Sequence, residues 1–232
     1  MPNVSIVFPV YNEANHLVHS IRLLLNDLKK HYHKPFEVIL VENGSVDESW
    51  NICRELKKKH PEIITISHLS KASYGHAISE GITLSKYENI VLFNVDFWDI
   101  PFLIQSTKLL YSCDIVVGSK TLIVSKDQRP FLRRQITYWF NVLLRAFYNF
   151  PGSDTHGIKA LKKDTVLPIA KSCYPLHELY DTQLILRACR KKLIYTEIPV
   201  SVREKRPTRY STFKRTLNLI HDLGIIFKYR YL

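Results

Sequence analysis

Residues 4–49 read VSIVFPVYNEANHLVHSIRLLLNDLKKHYHKPFEVILVENGSVDES, and the changes of rhythm inside this stretch decide the fold. Val4 to Val10 is a short apolar run rich in β-branched side chains, the composition of a strand buried on both faces. From Ala14 to Lys30 the apolar residues recur three and four apart, the period of a helix lying on a surface. Phe36 to Glu42 is strand-like again, and Glu48 to His60 is again helical. Outward from there the alternation continues with strands at Ile63 to Ser67, Asn89 to Asn94 and Ile115 to Gly118, and a helix from Gly75 to about Ser85. Such alternation predicts an α/β fold, a mostly parallel central sheet flanked by helices. Ligands then bind beyond the carboxyl ends of the strands, so the loops that matter follow Val10, Val41, Phe93 and Gly118.

The second half breaks the rhythm. A basic and aromatic stretch from Gln128 to Asn149 leads to a Gly/Asp turn, a helix from about Glu178 to Lys191 and a strand from Ile194 to Val200. A basic segment, Arg203 to Arg215, and a last amphipathic helix to Leu232 follow. No repeat, low-complexity tract or linker divides the sequence, so 232 residues are expected to form a single domain. Residues 119–127 read as a crossover loop within it.

Apolar residues make up 46% and charged residues 23%, the balance of a globular chain and not of a disordered or membrane-embedded one. The longest apolar runs, such as Ile90 to Phe93 and Leu223 to Phe227, fall far short of the roughly 20 residues a spanning helix needs. Met1 leads directly into the first strand without the pattern of a secretion signal, so a cytoplasmic location is expected. Cys53, Cys113, Cys173 and Cys189 lie far apart, with neither disulfide nor zinc spacing, and are expected as reduced thiols. Lysine and arginine outnumber acidic residues 33 to 21, a net charge of +12 that suits a nucleic acid, an anionic membrane surface or a phosphorylated substrate. No RRM, KH or helix-turn-helix pattern is present, and no basic stripe is confined to one element, so nucleic acid is not the expected partner.

Chemistry gathers at the strand ends. The first strand ends in Pro9, Tyr11, Asn12 and Glu13; the second ends in Glu42, Asn43, Gly44 and Ser45, with Asp47 following. Carboxylates, amides and a glycine turn on one edge suit a base and ribose. Asn43-Gly44 is equally an ordinary turn, and Ser45 or Asp47 equally a cap for the helix near Glu48. After Phe93 come Asn94 and Asp96, two apart on what reads as an extended segment, so both can offer oxygen to one hard cation such as Mg²⁺ or Mn²⁺. Asp96 or Asp99 could also cap the helix opening at Pro101.

These blocks resemble family 2 glycosyltransferases, in particular the dolichyl-phosphate or polyprenyl-phosphate mannose and glucose synthases. The resemblance runs in order through VSIVFPVYNEANHL, VILVENGSVDES, SYGHAISEGI, NIVLFNVDFWDIP, VVGSK, DTHGIKALKKD, LYDTQLILRACRKK, IYTEIPV and REKRPTRYST, covering nearly the whole sequence. It implies a GT-A fold, with residues 1–118 binding a nucleotide sugar and residues 119–232 binding the acceptor. Pro9, Tyr11, Glu13, Glu42, Asn43, Gly44, Ser45, Lys71 and Gly75 fall in the family's nucleotide-binding blocks. Asp96 matches the second aspartate of the metal-binding D-x-D, and Asn94 stands at the first. Arg203, Arg206, Arg209 and Ser211 match the basic segment that closes over phosphates, and Lys120 joins them as an acceptor-phosphate residue. Asp96, Asp181, Arg203 and Arg209 are the catalytic candidates that follow, and Asp154 is a further candidate near the acceptor.

The implied reaction is a single in-line displacement at the anomeric carbon with inversion, moving mannose or glucose from a GDP- or UDP-sugar to a polyprenyl phosphate. Three departures bear on it: Asn94 for aspartate and Trp98 for a glutamine, so a weakened metal site is expected, and Gln183 for a glutamate near the acceptor, so no catalytic base is secured there. A phosphate nucleophile is already ionised and needs little general-base help, which favours a lipid-phosphate acceptor. A saccharide hydroxyl acceptor, or a degenerate subunit that only binds nucleotide sugar, remains open at this point. Relatives carry transmembrane helices after the catalytic domain, and this sequence reaches Leu232 without one. That implies peripheral attachment to the cytoplasmic face of a membrane, or a membrane partner subunit. The stretch Arg129 to Tyr148 suits either a bilayer headgroup boundary or a helix packed on the sheet.

Overall fold

The computed structural model describes residues 1–122, 131–174, 179–201 and 221–228. Strands β1 (Val4–Val10), β2 (Phe36–Asn43), β3 (Ile64–Leu69), β4 (Asn89–Leu92), β5 (Ile115–Ser119), β6 (Lys159–Lys162) and β7 (Tyr195–Pro199) form one seven-stranded sheet in the order β3-β2-β1-β4-β6-β5-β7. Pairing is parallel throughout except for β6, which runs antiparallel to both β4 and β5. The expected mostly parallel sheet is therefore present, with residues from both halves of the chain woven into it.

Both faces of the sheet are covered, as the uninterrupted apolar strands require. Along β1, Val4, Ile6, Phe8 and Val10 face one layer and Val7 the other. The first layer is α1 (Leu17–His31), α2 (Ser49–Lys59) and α4 (Ile100–Leu109), which bury Leu17, Ile21, Leu24, Cys53 and Leu103. The second is α3 (Tyr74–Leu84), α6 (Lys163–Ser172) and α7 (Tyr180–Arg190), which bury Ile78, Val166, Ile169 and Leu184. The last described segment, 221–228, adds Ile226 to the second layer. All four cysteines are free. Among the described residues no helix is long and apolar enough to cross a membrane.

Three local differences from the sequence reading have plain causes. Helix α1 starts at Leu17 and not at Ala14, because the Glu13 carbonyl accepts from both the His16 and Leu17 amides and closes a turn first. Strand β6 and helix α6 were not anticipated: β6 is four residues with a lysine at each end, and α6 carries Pro168 inside it, so neither shows its period in sequence. Strand β4 ends at Leu92, and Asn94 to Phe97 is a tight turn closed by paired backbone hydrogen bonds of 3.1 Å, not an extended run.

Candidate active site

The carboxyl ends of β1, β2 and β3 are stitched into one ledge. The Asn12 amide donates to Ser45 Oγ at 2.9 Å, and Asn12 Oδ1 accepts from the Val46 amide at 2.9 Å. Asn12 sits at φ 52, a conformation asparagine tolerates better than most side chains. The Glu13 amide donates to Ser49 Oγ at 2.8 Å and the Ala14 amide to Asp47 Oδ2 at 3.1 Å, while Asp47 Oδ1 accepts from the Ser49 amide at 3.0 Å where α2 begins. Buried Asn43 turns its Oδ1 to the Ser73 amide at 2.6 Å, and Ser73 is the N-cap of α3. Gly44 is at φ +66, and a Cβ there would stand 2.8 Å from the Ala72 amide nitrogen, so only glycine lets the segment around Lys71 lie across it.

Most residues assigned to the nucleotide thus share one ledge, but they divide by task. Glu42 is fully buried: one oxygen accepts from the Ser45 amide at 2.5 Å and the other meets His68 Nδ1. Asn43 and Ser45 hold the loops by the bonds just given. Tyr11 and Glu13 are partly buried, Lys71 is exposed, Gly75 is buried in the first turn of α3, and Pro9 lies in β1.

The turn after β4 places Asn94 and Asp96 outward with Val95 buried between them. Trp98 has a separate part: its Nε1 donates to Ser20 Oγ at 3.1 Å, and Ser20 Oγ donates to the Val95 carbonyl at 2.5 Å, which ties the turn to α1. Asp99 caps α4 through the Phe102 amide at 2.5 Å, so it belongs to the helix. Among the described residues no three His, Cys, Asp or Glu side chains come together to hold a metal. One carboxylate and one amide on the rim fit a hard cation only if substrate oxygens complete its shell.

Next to this turn lies a second cluster, because Lys159 of β6 pairs with Leu92 of β4 in the sheet. Lys159 is only 2% exposed, and its Nζ donates to the Gly157 carbonyl at 2.7 Å and to Asp181 Oδ2 at 2.8 Å. Tyr74 Oη donates to the same Asp181 oxygen at 3.2 Å, and burial together with that negative charge pushes the Tyr74 phenol well above its ordinary range. Asp181 Oδ1 and Gln183 Oε1 are buried with no hydrogen-bond partner among the described residues. Asp154, also buried, lies 3.6 Å from Lys120 Nζ and accepts from the His156 amide at 2.9 Å. Burial alone would raise its pKa, but Lys120 and that amide outweigh it and hold Asp154 below the usual carboxylate range. His156 is pushed down by its crowded surroundings, with Asp181 and Asp154 opposing.

Glu197 supports this cluster by accepting from the Ser153 amide at 2.8 Å and the Asp154 amide at 3.0 Å. Gly157 is needed for a different reason from Gly44: a Cβ would fall 2.0 Å from the Gly118 carbonyl oxygen, where the loop crosses the end of β5. Asp181, Lys120 and Asp154 are thus brought together, and Tyr74, which follows Ser73 in sequence, connects them to the ledge that Asn43 holds. Arg203, Arg206, Arg209 and Ser211 lie outside the described residues. Lys159, Tyr74, His156 and Glu197 escaped the sequence reading; Lys159 alone carried a signal, a lysine at the end of an otherwise loop-like DTHGIK block.

Helix α5 (Phe131–Tyr148) borders this second cluster, since Asn141 Nδ2 donates to the Ser153 carbonyl at 2.5 Å and the Phe140 ring stands 5.8 Å from that of His156.

With this geometry in hand, comparison with known proteins is direct. Residues 5–165 match the family model for Glycosyl transferase family 2. The chain is 22% identical to a dolichyl-phosphate beta-glucosyltransferase of Saccharomyces cerevisiae, an alignment covering 96% of this chain and 73% of that protein. It is 26% identical to an undecaprenyl-phosphate 4-deoxy-4-formamido-L-arabinose transferase of Pectobacterium atrosepticum, covering 95% of this chain and 66% of that one. Glucosyl-3-phosphoglycerate synthase of Mycobacterium tuberculosis, solved with Mn²⁺, UDP and glucosyl-3-phosphoglycerate, superposes with a TM-score of 0.64 at 13% identity over 94% of this chain and 76% of that one. The sheet and its flanking helices are those of the GT-A glycosyltransferases, and the chain is a glycosyltransferase that belongs to glycosyl transferase family 2.

Proposed function

We propose that the protein transfers a hexose, glucose or mannose, from a GDP- or UDP-sugar to a polyprenyl phosphate of the dolichyl type at the cytoplasmic surface of a membrane. The observation that carries this reading is the state of the acceptor-side carboxylates. Asp154 is held against Lys120 and Asp181 is salt-bridged to Lys159, so both are engaged with lysines and neither stands ready as a general base. A saccharide hydroxyl must lose a proton as it attacks, whereas a phosphate oxygen arrives ionised. Lysines on that side also favour an anionic acceptor. The lipid-phosphate acceptors in the names of the yeast and Pectobacterium relatives agree.

On the donor side, Pro9, Tyr11, Glu13, Lys71 and Gly75 surround the nucleotide, on a ledge held by Glu42, Asn43, Gly44 and Ser45. Asp96 and Asn94 would hold Mg²⁺ or Mn²⁺, which when bound neutralises the leaving diphosphate. Lys120 and the arginines Arg203, Arg206 and Arg209, with Ser211, clamp the acceptor phosphate, where the guanidinium fork suits phosphate oxygens. The acceptor oxygen attacks the anomeric carbon in line with the departing diphosphate, and the configuration inverts. Incubation with labelled UDP-glucose or GDP-mannose and polyprenyl phosphate in membranes should yield label in the lipid extract that mild acid releases. Label found only in water-soluble saccharide would sink the lipid acceptor.

Helix α5 supports the membrane part of this proposal. It buries Asn141 and Leu144 on one side, while Ile136, Trp139, Leu143 and Phe147 recur three and four apart and remain exposed on another, Trp139 at 61%. Exposed Phe227 extends the stripe, its ring 5.7 Å from that of Phe147. A contiguous aromatic and aliphatic ridge beside the acceptor cluster suits the headgroup boundary of a bilayer. Trp139→Glu combined with Leu143→Glu should reduce cosedimentation with anionic vesicles by about tenfold or more, given roughly 1.5–3 kcal/mol for each large apolar side chain buried. Unchanged cosedimentation would remove α5 from the contact.

A further inference from the structure

The end of β2 places a carboxylate where solvent does not reach it. Glu42 has no exposed surface, and both its oxygens are occupied, one by the Ser45 amide and one by His68 Nδ1. A nucleobase approaching Glu42 directly would have to displace one of these contacts and then enter a closed space. Its partner is placed differently. The His68 side chain keeps 44% of its surface and its ring lies against that of Trp50, centroids 4.9 Å apart and tilted by 33°. Strands β2 and β3 pair in parallel with Glu42 opposite His68, so the imidazole stands level with the buried carboxylate on the edge where the ledge forms.

We infer that His68, oriented by Glu42 and Trp50, is the residue that reads the nucleobase of the sugar donor. The inference rests on the nucleotide-sugar reading above and assigns its base specificity. An ionised carboxylate only accepts, so Nδ1 carries the proton that goes to Glu42. That bond fixes the tautomer, and in the neutral ring Nε2 is then an acceptor. Among the described residues Nε2 has no hydrogen-bond partner. A base edge with an imino N–H, uracil N3–H or guanine N1–H, satisfies it. Cytosine and adenine bring a ring acceptor to the same place, leaving two acceptors face to face, and such unpaired groups are what reject a near-isosteric ligand. Trp50 limits rotation of the ring, so the orientation does not have to be paid for at binding.

The test is calorimetric titration of the full chain in Mn²⁺ with UDP, GDP, CDP, ADP and inorganic pyrophosphate, which has no base. The wild type is expected to bind UDP or GDP about tenfold or more tightly than CDP and ADP, the size of one hydrogen bond made or missed. In His68→Ala that preference should collapse to within about threefold by weakening of the favoured nucleotide, with pyrophosphate affinity unchanged. If alanine loosens the ledge, His68→Phe keeps a ring against Trp50 and should give the same collapse. Preference surviving in both variants overturns the inference, as does a parallel fall in pyrophosphate affinity, which would mean that His68 only supports the loop. A wild type that binds none of the nucleoside diphosphates overturns the glycosyltransfer reading together with it, so the two failures are distinct.

Discussion

Asp96→Ala is expected to lower sugar transfer by roughly 10²–10³-fold, the usual cost of removing one preorganised group that stabilises developing charge. The variant should fold as the wild type does. Asp96 is exposed on the turn after β4, and what holds that turn is the Asn94–Phe97 backbone pair and the Trp98–Ser20–Val95 chain, none of which uses the Asp96 side chain. The loss therefore falls on chemistry. Asn94 contributes an uncharged oxygen, so without Asp96 the rim of the turn offers no formal negative charge to a cation. Restoring the charge at the other position should act the opposite way: Asn94→Asp is expected to lower the Mn²⁺ concentration for half-maximal transfer by about tenfold, because a second carboxylate joins the set. Initial rates with labelled donor across a Mn²⁺ series check both. Transfer by Asp96→Ala within a factor of three of wild type would take Asp96 out of the donor site.

How the sequence carried this site explains what it could not carry. The loops after β1, β2 and β4 were legible because strand composition and turn chemistry announce themselves locally: Val4–Val10 runs out at Tyr11-Asn12, and Phe36–Asn43 runs out at a glycine that must adopt positive φ. The resemblance then placed Asp96 and Glu42 in register with known blocks. Burial, however, is a property of the whole sheet. Glu42 reads as a ligand for the base, and only the packing of β3 against β2 shows that His68 covers it. Asn94 and Asp96 read as an extended pair, yet the chain turns at Val95 and Asp96 between the bridged residues Asn94 and Phe97. The outward placement of both side chains survived that change, since Val95 is the residue that points into the core.

The second cluster was harder to read for the same reason. Its strand, β6, enters the sheet antiparallel between β4 and β5, and nothing in four residues beginning and ending in lysine announces a central strand. Lysine is rarely buried unless paired, so Lys159 reads as surface until its partner, Asp181 on α7, is seen 2.8 Å away. Two charges 22 residues apart in sequence meet because α7 packs in the layer behind β6. Asp181 was singled out as a catalytic candidate from the resemblance alone, and its surroundings bear on which role it has.

That role can be weighed by stability. Lys159→Met, which keeps the length of the side chain and removes its charge, is expected to destabilise the fold by about 3–5 kcal/mol, the cost of leaving one member of a buried ion pair alone. The size follows from the site. Asp181 is 4% exposed, one of its oxygens already lacks a hydrogen-bond partner, and the Tyr74 hydroxyl would be the only donor left to it among the described residues. Removing both charges should cost far less: Lys159→Met with Asp181→Leu is expected to return to within about 2 kcal/mol of wild type, because an apolar pair of similar volume often replaces a buried ion pair with little loss. Urea unfolding followed by the fluorescence of Trp50, Trp98 and Trp139 measures all three proteins. A Lys159→Met variant within 1 kcal/mol of wild type would mean that water reaches Asp181 and that the pair is not a buried one. The expected order, a costly single change and a cheap double one, makes Asp181 half of a strut that ties α7 to β6. A carboxylate committed to Lys159 in that way is not placed to take a proton from a sugar hydroxyl, which agrees with the phosphate acceptor proposed above.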